Sequence, residues 1–106
     1  MENIEFKGRE ILNDEENKTA DKLFAEYYPK IQRKIKNMQL LKVHIKEYKR
    51  EGAGKKYSIN ASVIAPTRLI EASASDWDFA RTVHKVLKKI ESEIESMFHV
   101  SDQHKR

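Results

Sequence analysis

The sequence predicts an α+β two-layer sandwich with the element order strand, helix, three strands, helix. Two periodicities and a length carry this prediction. Apolar residues alternate at every second position in three segments and recur at three- and four-residue spacing in two longer ones. The 106 residues are enough for one core and too few for two. Three strands joined in succession by short turns make an antiparallel sheet, and two helices with one apolar stripe each can bury those stripes only on the sheet face that is also apolar. Both helices are therefore expected on one face of a four-stranded sheet, in a single domain covering residues 1–106.

Ile4 to Lys7 is the first short strand. Asn13, followed three residues later by Glu16, has the pattern of a helix N-cap with its reciprocal carboxylate. Ala20, Leu23, Phe24, Tyr27, Ile31 and Ile35 then fall on one helical face. Pro29 lacks a backbone donor and crowds the carbonyl four residues back, so a kink or break is expected near Tyr28, with helix resuming to about Lys36. Leu41, Val43 and Ile45 alternate with Lys42, His44 and Lys46, as Tyr57, Ile59, Ala61 and Val63 do with Ser58, Asn60 and Ser62. That is the period of strands with one covered and one wet face. "REGAGKK" between them is a hairpin connection, and a further strand runs from Leu69 to Ala74 after the turn at Ala65-Pro66-Thr67. Asp76 or Asp78 caps the last helix, whose apolar stripe is Phe79, Val83, Val86, Leu87, Ile90, Ile94 and Phe98. The tail from His99 to Arg106 is expected to fray. Trp77 stands just ahead of this helix, where it staples the cap or stacks on a base; stapling is the more routine use.

Composition sets the limits on function. With 39% hydrophobic and 36% charged residues the chain reads as a soluble globular protein. No apolar run approaches the ~18 residues that a membrane span needs, and the acidic opening Met1-Glu2-Asn3-Ile4-Glu5 is unlike a secretion signal, so a cytoplasmic protein with no membrane partner is expected. The absence of cysteine excludes disulfides, thiolate catalysis and thiolate metal sites. The net charge of +4 is unevenly spread: residues 28–56 carry ten Lys or Arg against two acidic residues, whereas residues 1–27 carry four against eight. A block of like charge is relieved by a polyanion, which makes nucleic acid the first partner to consider.

The passage "RLIEASASDWDFARTVHKVLKKI" and the order of elements resemble the short ribosome hibernation factors, also called ribosome-associated inhibitors. Ile70, Ala72 and Ala74 match that family's strand ending, Asp78 its helix opening, and Phe79, Val83, Val86, Leu87, Lys89 and Ile90 its last helix, without a gap. Ala20, Phe24, Tyr27 and Ile31 fall at its first-helix core positions, and "LLKVHI" matches its second strand. The resemblance implies a protein that binds rRNA of the small ribosomal subunit in the channel used by mRNA and tRNA, and that inhibits or preserves ribosomes under stress. It implies a fold like that of double-stranded-RNA-binding domains, without the dimerising extension of the family's long members, hence a monomer or weak dimer. Two departures stand out. "IESEIESMF" turns acidic after Lys89, which confines any contact to the first turns of that helix, and Pro29 redirects the basic run that follows it.

The residues themselves supply a compatible surface. Arg81, Lys85, Lys88 and Ser92 lie at i, i+4, i+7 and i+11, one stripe opposite the buried one, with His84 and Lys89 flanking it. Cations spaced by roughly 5–6 Å can follow a phosphate backbone and release its counterions. Lys30, Arg33, Lys34 and Lys36 after Pro29, and Lys55 and Lys56 at the hairpin, complete the candidate RNA-binding set. "GAGKK" lacks the earlier glycine and the following Ser or Thr of a phosphate-binding loop. The four histidines have no metal-ligand spacing, and Glu91, Glu93 and Glu95 do not all point in one direction around the helix. No metal, cofactor, small-molecule substrate or enzymatic activity is therefore expected. The alternatives are a general module for double-stranded or structured RNA and, third, a protein-interaction subunit that binds no nucleic acid. A duplex-RNA module would carry its basic cluster at the start of the last helix, where Asp76 and Asp78 stand instead.

Overall fold

The computed structural model describes residues 3–35, 37–50, 52 and 54–103, with the side chains of residues 50 and 98–103 excepted. The elements are β1 (Ile4–Lys7), a single 3-10 turn (Arg9–Ile11), α1 (Asp14–Lys34), β2 (Leu40–Arg50), β3 (Gly54–Ala65), β4 (Arg68–Asp76) and α2 (Phe79–Gln103). The sheet order is β1-β2-β3-β4. β2, β3 and β4 form the antiparallel meander that the turns predict. β1 joins β2 in parallel, which makes the sheet mixed, because α1 lies between the two strands and returns the chain to the end it left.

Register aligns the apolar positions. Leu41 stands opposite Val63, Val43 opposite Ala61 and Ile45 opposite Ile59; these continue onto Ile70, Ala72 and Ala74 of β4. Ile4 and Phe6 extend the same face onto β1, beside Leu41 and Val43. The helices cover it. Phe24 of α1 meets Phe6 edge-on at 5.1 Å, and Phe79 of α2 meets Tyr57 at 5.5 Å. Val83, Val86, Leu87, Ile90 and Ile94 are fully enclosed, and burial of such side chains contributes about 1.5–3 kcal/mol each. The opposite face of the sheet, with Lys42, His44 and Lys46, faces away from both helices. The fraying expected from His99, and the Phe98 end of the stripe, fall on side chains and terminal residues outside those described, although the helical backbone continues to Gln103.

α1 starts as predicted: Asn13 Oδ1 accepts from the Glu16 amide at 2.7 Å and Glu16 Oε1 accepts from the Asn13 amide at 3.0 Å, a complete capping box. The break expected near Tyr28 does not occur. α1 runs on through Pro29 to Lys34. Pro29 and Ala25, whose carbonyl lacks its helical partner, are both on the exposed side, so water can satisfy that carbonyl. On the covered side Leu23, Phe24, Tyr27, Tyr28 and Ile31 are all buried and hold the helix across the missing bond. Tyr28 also accepts a hydrogen bond from the Asn3 amide at 3.0 Å, tying α1 to the start of β1.

Gly8 makes the turn out of β1. Its φ is +96°, and a Cβ at this position would lie 2.0 Å from the Ile45 carbonyl oxygen on β2. Gly8→Ala is therefore expected to lower the unfolding free energy by about 1–3 kcal/mol or more, read from urea denaturation. A variant as stable as the parent would show that β1 can dock without this close approach.

Candidate nucleic-acid interface

The start of α2 sets the candidate surface. Asp78, not Asp76, is the cap: its Oδ2 accepts from the Arg81 amide at 2.8 Å. Asp76 is instead buried at the end of β4 and turned onto α2. Lys85 Nζ lies 2.6 Å from its Oδ2, Arg81 lies 3.5 Å from its Oδ1, and the Asp78 amide donates to it at 3.2 Å. The Lys85 hydrogen bond, helped by the Asp78 and Trp77 amides, outweighs burial and holds the Asp76 carboxyl down to about 2.

The predicted stripe is thus present but partly engaged. Arg81, Lys85, Lys88, Lys89 and Ser92 are all exposed on α2. Lys85 is tied to Asp76, and Lys89 Nζ donates to the Ser73 carbonyl of β4 at 2.8 Å. Lys88 has no ion-pair partner among the described residues. Between β4 and α2 lies an open groove of ≈ 850 Å³, lined by Glu71, Ala72, Ser73, Lys85, Lys88, Lys89, Ser92 and Glu93. His84 does not flank this groove. It turns toward α1, where Nδ1 lies 2.8 Å from the Tyr27 hydroxyl. Burial, with Glu91 and Glu26 adding, pushes that hydroxyl's pKa up, so the pair is an interhelical contact.

The remaining candidates lie elsewhere. Lys30 sits over the Tyr27 ring at 5.2 Å. Arg33 and Lys34 line a pocket of ≈ 530 Å³ with Ile35, Ala65, Pro66 and Arg68, and Lys34 also reaches Glu95 at 3.6 Å. Lys36 falls outside the described residues. Lys55 is paired with Glu47 at 3.1 Å, and the hydrogen bond from this pair raises its pKa despite burial. Lys56 alternates to the other face and lies 5.7 Å over the Trp77 ring. Trp77 is 50% exposed, and the position that would staple it is Thr82, so it does not close the cap. The described candidates therefore fall into three groups: the α2 groove, the end of α1, and the hairpin. Sequence spacing within single elements did not reveal Arg68, which joins Arg33 and Lys34 only through the tertiary fold, nor the clamp formed by Asp76.

The geometry defines a class: an α+β domain with two helices on one face of a four-stranded sheet and a cationic groove at the β4 edge. No family model matches the sequence, and no curated protein matches it. Among solved structures, a ribosomal subunit interface protein from Coxiella burnetii is similar in fold, with a TM-score of 0.60 at 18% identity over 92% of this chain and 98% of its own. The N-terminal domain of Protein Y from Thermus thermophilus gives a TM-score of 0.57 at 18% identity, over 92% of this chain and 99% of its own. At that identity the likeness is one of fold.

The Asp76 clamp makes a pH prediction. A carboxyl whose pKa is lowered by folding contributes stability above its ordinary range, and that contribution is lost as pH falls from about 4 toward 2. Lys85→Gln is expected to weaken the fold near neutral pH and to flatten this acid-induced loss, with Asp76→Asn added to Lys85→Gln restoring part of the stability. Urea denaturation across that pH range checks it; an unchanged pH profile in Lys85→Gln would remove Lys85 as the partner that matters.

Proposed function

We propose that this protein binds the small ribosomal subunit through its rRNA, in the channel used by mRNA and tRNA, and inhibits or preserves ribosomes under stress. The observation that carries this reading is the exposed cationic face of α2 along the β4 edge, on a fold like that of a protein named for the ribosomal subunit interface. Lys88 and Lys89 offer ammonium groups to phosphates, while Lys85 and Arg81 are held in place by Asp76. Pre-positioned side chains lose less freedom on binding. The contact ends after about three turns, where Glu91 and Glu93 follow Lys89. Electrostatic contacts to a polyanion need neither a cofactor nor a small-molecule substrate, so the role is binding rather than catalysis, in the cytoplasm where ribosomes work. A general duplex-RNA module is less well supported, because Asp78 caps α2 and Asp76, at the end of β4, pairs with the first cations of that helix, Arg81 and Lys85.

Cosedimentation with purified small subunits across a salt series tests this. Lys88→Gln with Lys89→Gln is expected to weaken binding and to reduce the slope of log affinity against log salt by roughly 0.7–0.9 for each phosphate left unneutralised. Glu93→Gln, on the same groove, is expected to leave binding unchanged or slightly tighter. An unaltered slope in the lysine variant would move the RNA-binding surface away from α2, and equal affinity for any duplex RNA would favour the general module.

A further inference from the structure

The wet face of the sheet carries a second surface. Tyr48 and Trp77 are exposed by 54% and 50%. Tyr48 of β2 stands directly opposite Lys56 of β3, and the register that pairs Tyr57 with Asp76 brings Lys56 beside Trp77, with its ammonium 5.7 Å from the ring centroid. Tyr48, Lys56 and Trp77 thus form a row across the hairpin end of the sheet, aromatic, cationic, aromatic; Tyr48 and Lys56 face away from the helices, and Trp77 stands just past β4, beside Lys56 and bordering the start of α1. Along β2 the same face continues with Lys46 and His44, and Lys7 of β1 stands opposite His44. Burial lowers the His44 pKa first, and Lys46 and Lys7 lower it further against the opposing charge of Glu10, which leaves a local field of net positive sign. The carboxylates of this sheet face stand apart from the Tyr48–Lys56 pair, beside Lys7 and His44. Glu5 is paired with Lys42 at 3.9 Å, and Glu71 faces Ser62 at 3.5 Å, both toward the other end of the sheet. Glu15, Glu16 and Asp78 border Trp77 on the helix side, so a phosphate backbone is admitted only from the sheet side.

We propose that this row is a stacking site for unpaired bases of single-stranded RNA. Trp77 and Tyr48 each offer a ring face to a base, and Lys56, Lys46 and Lys7 neutralise the phosphates between and beyond them. Neighbouring strands are about 4.8 Å apart, so the two rings lie roughly 10 Å from each other with a cation between. That separation suits two splayed bases rather than a continuous stack, and a duplex exposes no free ring faces to either aromatic. The positive field favours RNA over a neutral protein partner. The site is distinct from the α2 groove and deepens the ribosomal proposal, on which its choice of RNA rests.

Trp77 is the only tryptophan, so its emission reports on this site alone. Titration with a short single-stranded adenylate RNA is expected to quench it saturably, whereas a blunt-ended RNA duplex with the same number of phosphates binds about 10-fold or more weakly. Tyr48→Ala is expected to weaken the single-stranded RNA by roughly 5- to 100-fold with the salt slope unchanged, and Lys56→Gln to lower the slope. Equal quenching by the duplex, or a Tyr48→Ala variant that binds like the parent, overturns the proposal. Emission indifferent to any RNA overturns it too and leaves the row to a protein partner. Cosedimentation of the unaltered protein with small subunits, run in parallel, reads the ribosomal proposal independently: subunit binding without quenching sinks only the stacking site, and quenching without subunit binding sinks only the ribosomal assignment.

Discussion

Two amphipathic helices have one apolar sheet face to share, and the rest of the molecule is arranged around that constraint. The contacts climb both helices in the same sense: Glu16 reaches Tyr57, which packs on Phe79 at the start of α2; Tyr27 meets His84; Lys34 meets Glu95. α1 and α2 therefore lie side by side and run the same way. Every polar stripe is displaced outward, to the solvent side of each helix or to the bare face of the sheet. Cations that reside on those stripes become available to a polyanion without any cost to the core.

The β4 edge shows how structure and surface chemistry are linked. An edge strand presents unpaired backbone groups, and lysines are one means by which proteins guard such edges. Lys89 reaches the Ser73 carbonyl, and Lys85 is anchored on the buried Asp76. The same side chains that fasten α2 to β4 line the groove proposed to meet phosphates. Their geometry is consequently fixed by folding, while Lys88, one turn away and unpaired among the described residues, is free to adapt.

Much of this was legible from the chain. Alternation at Leu41, Val43 and Ile45, and at Ile59, Ala61 and Val63, has no other economical solution than a one-sided sheet, and Asn13 with Glu16 states its own helix start. What stayed hidden depends on partners distant in sequence or on the balance of several terms. Pro29 reads locally as a break, yet five buried side chains around it outweigh one missing hydrogen bond on the wet side. Asp76 and Asp78 are equivalent as caps on paper; only the end of β4 decides that one faces the amide of Arg81 and the other faces Lys85. His84 lies within a helical repeat of both faces, and the neighbouring α1 selects one. The cationic candidates looked like one set because their number is visible in sequence, whereas their division into three groups is a property of the fold.

Whether the α2 face along β4 lies against small-subunit rRNA can be mapped directly. The chain has no cysteine, so Ser92→Cys, at an exposed position lining the groove, provides a unique attachment point for a chelated iron that generates hydroxyl radicals locally. With the tethered protein bound to small subunits, rRNA strand cleavage is predicted to cluster along the walls of the mRNA and tRNA channel, and to disappear when Lys88 and Lys89 are replaced by Gln. Cleavage scattered without preference over both subunits, or none in the channel while the protein remains bound, would contradict the proposed placement.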